Sequence, residues 1–216
     1  MSKCIIICAG GFDGLLCEPA PEDLIIAADG GLKNAQAYGI KPSCILGDFD
    51  SLGYTPQGAE VFPVEKDDTD AMLAARRGLA LGYKEFHIYG ALDGPRLDHT
   101  IAALQTLQYL ADRGAKAALI GLKDIAVVVK DGAIILPDTA RGIVSVFCLG
   151  SPSRGVTLEN LYYPLRDGVL ASGFPLGVSN HFIGKESAIR VQKGSLTALY
   201  GRENGLPIWK EEEKNG

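Results

Sequence analysis

Short apolar runs that stop at glycine constrain this chain more than any other feature. Five such runs precede residue 125, at 4–8, 24–28, 44–46, 86–89 and 117–120. The first four are followed by Gly10-Gly11, Asp29-Gly30-Gly31, Gly47-Asp48 and Gly90. Continuous apolar runs of this length suit strands buried on both faces. Helical patterns separate them. Residues 71–81 are rich in Ala, Leu, Met and Arg, with Thr69 or Asp70 placed to cap the N-terminus. Leu97, Ile101, Leu104 and Ala111 fall on one face of a second helix ending near Gly114. Strands alternating with helices predict an α/β domain with a largely parallel sheet, whose ligands bind beyond the carboxyl ends of the strands.

After residue 125 the texture changes. The runs 125–129, 134–136, 143–148, 169–171, 188–191 and 196–200 are short, β-branched and separated by Gly, Pro, Asp and Ser. That spacing predicts an all-β sandwich. A chain of 216 residues holds one large domain or two small ones. The change of pattern near 123–132 favours two, 1–125 and 126–216. The charged tail from Lys210 onward is expected to be frayed and solvated.

Composition excludes several classes. Hydrophobic residues make up 47% and charged residues 22%, enough apolar material for a packed core. With 21 Lys+Arg against 26 Asp+Glu, the chain is acidic (−5) and has no basic run, so nucleic acid is not an expected partner. No apolar run approaches the ~20 residues of a spanning helix, and the N-terminal run is too short for a signal peptide. Five cysteines without a CxxC pair fit neither a disulfide framework nor a zinc ribbon. A cytoplasmic protein is expected.

The aspartates carry the chemistry. Eight of fifteen lie between positions 29 and 98, in loops that follow a predicted strand or begin a predicted helix. These loops are Asp29-Gly30-Gly31, Gly47-Asp48-Phe49-Asp50-Ser51, Lys66-Asp67-Asp68-Thr69-Asp70 and Asp93-Gly94-Pro95-Arg96-Leu97-Asp98-His99. Parallel strands bring them to one edge of the sheet. Asp is also a turn former and a helix cap, which accounts for any one loop but not for four converging. At ~5 Å and an effective dielectric of ~20, each like-charged pair costs about 3 kcal/mol. A hard cation, Mg²⁺ or Ca²⁺, offsets that, and Mg²⁺ shared between carboxylates and substrate phosphates is the arrangement of phosphoryl transfer. Asp48 and Asp50, two apart on an extended segment, can share one metal. Arg96 is either a salt-bridge partner or a phosphate clamp. There is no P-loop, no GxGxxG and no HExxH. The residues alone reach a metal-dependent enzyme acting on a phosphorylated substrate.

Taken in order, Ala28-Asp29-Gly30-Gly31, Gly47-Asp48-Phe49-Asp50-Ser51, Asp67-x-Thr69-Asp70 and Arg96-Leu97-Asp98-His99 resemble the thiamine pyrophosphokinase family. Tyr163-Pro164-Leu165 and Gly177-Val178-Ser179-Asn180 resemble its C-terminal signature. The resemblance implies an ATP- and Mg²⁺-binding α/β domain, a thiamine-binding and dimerising β-sandwich, and a homodimer. It also implies transfer of the β,γ-diphosphate of ATP to the hydroxyl of thiamine, giving thiamine diphosphate and AMP. By motif, Asp48, Asp50 and Asp70 would hold Mg²⁺ and act in catalysis with Asp98. Asp29, Asp67, Thr69 and Arg96 would serve ATP, and Ser179 and Asn180 would hold thiamine. The chain departs from the family pattern in a longer run at 90–96 carrying Pro95, and in His181 after Ser179-Asn180. Two alternatives stand beside this: a pyrophosphokinase of the same fold acting on another alcohol, such as a pterin, and a non-catalytic thiamine or nucleotide sensor.

Overall fold

The structure is a computed structural model and describes residues 2–49, 53–62 and 68–211. The chain divides into two compact units, Met1–Leu122 and Lys123–Gly216.

The first unit holds strands β1 (Cys4–Ile7), β2 (Leu24–Ala28), β3 (Cys44–Gly47), β4 (Glu60–Val61), β5 (Glu85–Tyr89) and β6 (Lys116–Ile120). They form a parallel sheet in the order β4-β3-β2-β1-β5-β6. All four β1 residues are buried, as a central strand covered on both faces demands. Helices α1 (Gly31–Ala37), α2 (Asp70–Ala80) and α3 (Leu97–Ala111) complete the unit. The strand order reverses between β1 and β5, so the carboxyl ends of these two strands mark the switch point where such sheets bind ligands. Two close approaches fix helices to the sheet. A Cβ on Gly31 would stand 1.9 Å from the Ile7 carbonyl oxygen, and one on Gly78 would stand 2.6 Å from the Phe86 ring. Only glycine lets α1 and α2 lie that close.

α3 corrects one expectation. Its buried residues are Ala103, Thr106, Leu107 and Leu110, whereas Leu97 is 74% and Ile101 52% exposed. The helix is apolar on more than one side, so periodicity in the sequence admitted two faces. Packing against β6 and α2 selected the one built around Leu107.

The second unit is antiparallel. Its strands are β7 (Asp124–Leu136), β8 (Ile143–Phe147), β9 (Ser153–Glu159), β10 (Leu165–Leu170), β11 (Gly177–His181), β12 (Ser187–Gly201) and β13 (Ile208–Glu211). β7 and β12 pair along their whole length, with a register shift between Val191 and Ser195. There the Asp131 carboxylate accepts the Gly194 N–H at 2.8 Å, and Gly194 takes φ +112°. On one side of this bulge β12 pairs β9, which pairs β10; on the other it pairs β8, which pairs β11. The polar stretches 130–132 and 192–195 are thus a shared bulge, not the turns their composition suggests, and four expected short strands are two long ones. β9 was not expected at all. The tail is a further correction: Lys210 pairs Ala133 and Glu211 pairs Gly132 in β13, because Ile208 and Trp209 carry the strand along β7.

Candidate functional site

Three carboxylates meet at the carboxyl edge of the parallel sheet. Asp29 follows β2, Asp48 follows β3 and Asp70 opens α2. Each is half-buried, and each offers an oxygen within 4.8 Å of the other two. The backbone is bent to do this. Asp29 has φ +46° and Phe49 φ +60°, conformations that non-glycine residues rarely adopt. The Asp29 N–H donates to the Leu46 carbonyl at 2.8 Å, joining the ends of β2 and β3. Phe49 is 3% exposed and packs with Ala27 and Leu32, so apolar burial of its ring holds the strained turn that presents Asp48. Asp70 is placed by the start of α2, whose N-cap is Thr69: the hydroxyl accepts the Met72 N–H at 3.3 Å.

Two of the acids read as metal ligands by motif, Asp48 and Asp70, are in this group. Asp29, expected on the ATP side, stands with Asp48 and Asp70 among the potential metal ligands. Asp50 and Asp67 lie outside the described residues. Thr69 spends its hydroxyl on the helix cap. Asp68 forms an ion pair with Arg76, and Glu60 one with Arg77 at 2.9 Å.

Asp98 is not part of the three-carboxylate group. It pairs with Arg96 through two bonds, Nε to Oδ1 at 3.2 Å and the terminal guanidinium nitrogen to Oδ2 at 2.6 Å, and both residues are exposed. The hydrogen bond from Arg96 holds the Asp98 carboxyl below its ordinary range and raises Arg96 in turn. Of the two roles open for Arg96, the structure shows the ion pair.

The switch point is built from glycines. The Gly10 N–H donates to the Gly90 carbonyl at 2.9 Å, and a Cβ on either residue would collide with backbone of the opposing segment. Asn34, on α1, donates its side-chain amide to the carbonyls of Cys8 at 2.8 Å and Gly10 at 2.9 Å. Sequence reasoning passed over Asn34; its only signal was a polar side chain on the helix that follows Asp29. Cys8, behind the site, is buried, and burial first, then the Asp70 charge, pushes its thiol up to about 12, away from the thiolate that nucleophilic chemistry needs.

In the second unit Ser179 is exposed, at φ +57°, and its N–H donates to Ser145 Oγ at 3.1 Å. Asn180 is 3% exposed and engaged with backbone. Its Oδ1 accepts the N–H groups of Tyr163 and His181, each at 2.9 Å, and its Nδ2 donates to the Tyr163 carbonyl at 2.7 Å. Asn180 thus fixes Tyr163 rather than presenting a free amide. Both line a hollow of about 110 Å³ with Leu158, Leu165, Leu170 and Leu176.

Two family models match: "Thiamin pyrophosphokinase, catalytic domain" over residues 20–119 and "Thiamin pyrophosphokinase, vitamin B1 binding domain" over residues 134–196. Among solved structures, thiamine pyrophosphokinase from Bacillus subtilis is 26% identical, with a TM-score of 0.79 over 92% of this chain and 98% of that one. A thiamin pyrophosphokinase family protein from Enterococcus faecalis is 25% identical, with a TM-score of 0.77 over 93% and 99%. Thiamin pyrophosphokinase from Candida albicans, at 15% identity and a TM-score of 0.72 over 93% and 88%, shares the fold. Comparison with curated protein sequences finds no match. With both family domains matched in order along the chain, it belongs to the thiamine pyrophosphokinase family.

Proposed function

We propose that this chain is a thiamine diphosphokinase that moves the β,γ-diphosphate of ATP onto the hydroxyl of thiamine and releases AMP. The observation that carries the chemistry is the Asp29–Asp48–Asp70 group at the sheet edge. Its dimensions fit a small divalent cation. Two oxygens bound at about 2.1 Å to one Mg²⁺ stand at most about 4.2 Å apart, so carboxylates already within 4.8 Å close on the ion by side-chain adjustment alone. When bound, Mg²⁺ would neutralise phosphate charge and help set the diphosphate in line with the attacking hydroxyl.

The chain's own residues supply position and electrostatics. Asp29, Asp48 and Asp70 hold the cation, Asp50 joins them in our proposal, and Asp67 serves ATP. Arg96 is suited to a phosphate: its fork already grips an oxyanion, the carboxylate of Asp98, and a triphosphate offers the same geometry. Asp98, beside Arg96 at the start of α3, is the further acidic residue of the catalytic set. We read residues 1–125 as the domain that takes MgATP and residues 126–216 as the domain that takes thiamine and dimerises, bounds that lie within three residues of the division between the two units. The two sets of antiparallel strands that branch from β12, β9–β10 and β8–β11, support a β-sandwich there. Tyr163, fixed by Asn180, and Ser179 supply the thiamine contacts. Exposed Tyr162, Tyr163, Phe174, Leu176, Val178 and Ile183 support a homodimer built on the second unit. No helix among the described residues is long and apolar enough to cross a membrane. Five free thiols support a cytoplasmic location.

The test is AMP release from MgATP with and without thiamine. Thiamine-dependent AMP with an equal amount of thiamine diphosphate is expected. ADP would mean a simple kinase. Turnover with a pterin alcohol alone would mean another acceptor, and binding without AMP would mean a sensor.

A further inference from the structure

The turn between β5 and α3, residues 90–96, carries both the added length and Pro95, and one of its side chains is built into the sheet edge. Asp93 Oδ2 accepts the Leu122 N–H at 2.7 Å, just past the end of β6. The Asp93 carbonyl accepts the Gly11 N–H at 3.4 Å, past the end of β1. A Cβ on Gly11 would lie 3.0 Å from the Asp93 Cβ and 2.8 Å from Leu122 Cδ1, so the three residues are in contact. Two more bonds hold the same turn: Gly10 N–H to the Gly90 carbonyl at 2.9 Å, and Thr100 Oγ1 to the Leu92 carbonyl at 3.3 Å. Asp93 thus joins the ends of β1, β5 and β6 across the switch point. Only Gly94 and Pro95 separate it from Arg96, and proline fixes φ in that short connection.

We propose that Asp93 is a positioning residue for the nucleotide: by accepting the Leu122 amide it fixes the turn and hence the place of Arg96. The inference rests on the diphosphotransfer reading above. Without the Asp93 side-chain bond the turn keeps only its other three bonds, would lose more conformational freedom each time Arg96 closed on a phosphate, and would bind ATP more weakly. Anchored through Asp93, the turn is ordered before the nucleotide arrives. Asp93 acts as a hydrogen-bond acceptor, not as a charge or a metal ligand, so asparagine can take its place. An anchor serving the fold alone would affect both substrates equally.

The experiment compares Asp93→Ala and Asp93→Asn with the parent in steady-state AMP formation, varying MgATP and thiamine in turn, with melting temperatures recorded. For Asp93→Ala, KM for MgATP is expected to rise about tenfold, the upper scale of one lost hydrogen bond, with kcat within about twofold. KM for thiamine and the melting temperature stay as in the parent. Asp93→Asn recovers KM for MgATP to within about threefold. An unchanged KM in the alanine variant, an asparagine variant as impaired as alanine, or a parallel rise in both KM values with a lowered melting temperature each overturns the proposal. If the parent itself forms no AMP, the diphosphotransfer reading fails instead. The tether is then read by amide exchange at Leu122 and by calorimetric titration with MgATP. Faster exchange and weaker binding in Asp93→Ala uphold it; parent-like exchange or affinity overturns it.

Discussion

Gly47 lies directly against Asp29: a methyl group on its α-carbon would stand 3.0 Å from both the Cα and the Cβ of Asp29. Gly47 also takes φ +151°, which side chains disfavour. Gly47→Ala must therefore displace Asp29 or Asp48, two of the three clustered acids. We expect turnover to fall at least tenfold and stability by about 1–3 kcal/mol. Gly150→Ala, where an added methyl meets open space at ordinary φ, is the matched control and should behave as the parent. Denaturant unfolding beside AMP release checks both. A parent-like Gly47→Ala would show that the close approach does not hold the acids.

Asp48→Asn separates the charge of the site from its shape. Removing one of three neighbouring carboxylates lowers turnover by about 100- to 1000-fold, the scale for losing one electrostatic element of a transition-state site. It also relieves repulsion, so the metal-free variant should melt at or above the parent's temperature. The added stability that MgCl₂ gives the parent should shrink, because ligand stabilisation follows affinity for the native state. Thermal scans with and without MgCl₂ read this directly. If the Mg²⁺-dependent shift and the turnover both survive, Asp48 has no place in the mechanism.

The acidic edge was legible because its signals are local. Apolar runs ending at glycine gave five of the six parallel strands, and the acids sit at their ends by construction of a parallel sheet. β4, only Glu60–Val61, is too short to leave a pattern. The partners of the acids were less legible. That Asp29 would stand with Asp48 and Asp70 depends on the β2–β3 register, in which Ala28 faces Leu46. That Asn180 holds Tyr163 was hidden because its motif names the residue and not its partner, seventeen positions away. The length of β7 and β12 was hidden for a similar reason. A bulge and a turn use the same residues, and only the paired strand tells them apart.

Asn180 provides the test of that second unit. Its amide serves as acceptor to two N–H groups and donor to one carbonyl, so Asn180→Asp keeps the acceptors and turns the donor into a repulsive contact with the Tyr163 carbonyl. We expect a loss of about 1–3 kcal/mol in stability. If Tyr163 contributes to thiamine binding, KM for thiamine rises while KM for MgATP does not. Equal effects on both substrates would assign Asn180 to the fold alone.

At the opposite ends of β1 and β2, Lys3 and Asp23 make a prediction about pH. The Asp23 side chain is 1% exposed and accepts three bonds: Lys3 Nζ at 2.7 Å, Lys3 N–H at 2.8 Å and Ala20 N–H at 2.8 Å. Burial by itself raises this carboxyl, but the Lys3 side chain and the two backbone N–H groups outweigh it and hold the group below 3.8. A depressed folded-state pKa stabilises the protein at pH above the unfolded value and ceases to do so as pH falls through the folded one. Lys3, raised above 10.5 chiefly by its bond to Asp23, acts in the other direction, its contribution fading only in strong alkali. Between those limits the pair is intact. Asp23→Asn should therefore cost about 2–4 kcal/mol at pH 7. The gap from the parent should narrow as pH drops below 3.8, where the unfolded chain's carboxyl takes up a proton before the folded one does. Because Lys3 precedes β1 and Asp23 precedes β2, while the clustered acids follow their strands, turnover at neutral pH should stay near that of the parent. A gap of equal size at pH 3 and pH 7 would mean that the buried charge contributes nothing and that the hydrogen bonds alone hold the ends of the two strands.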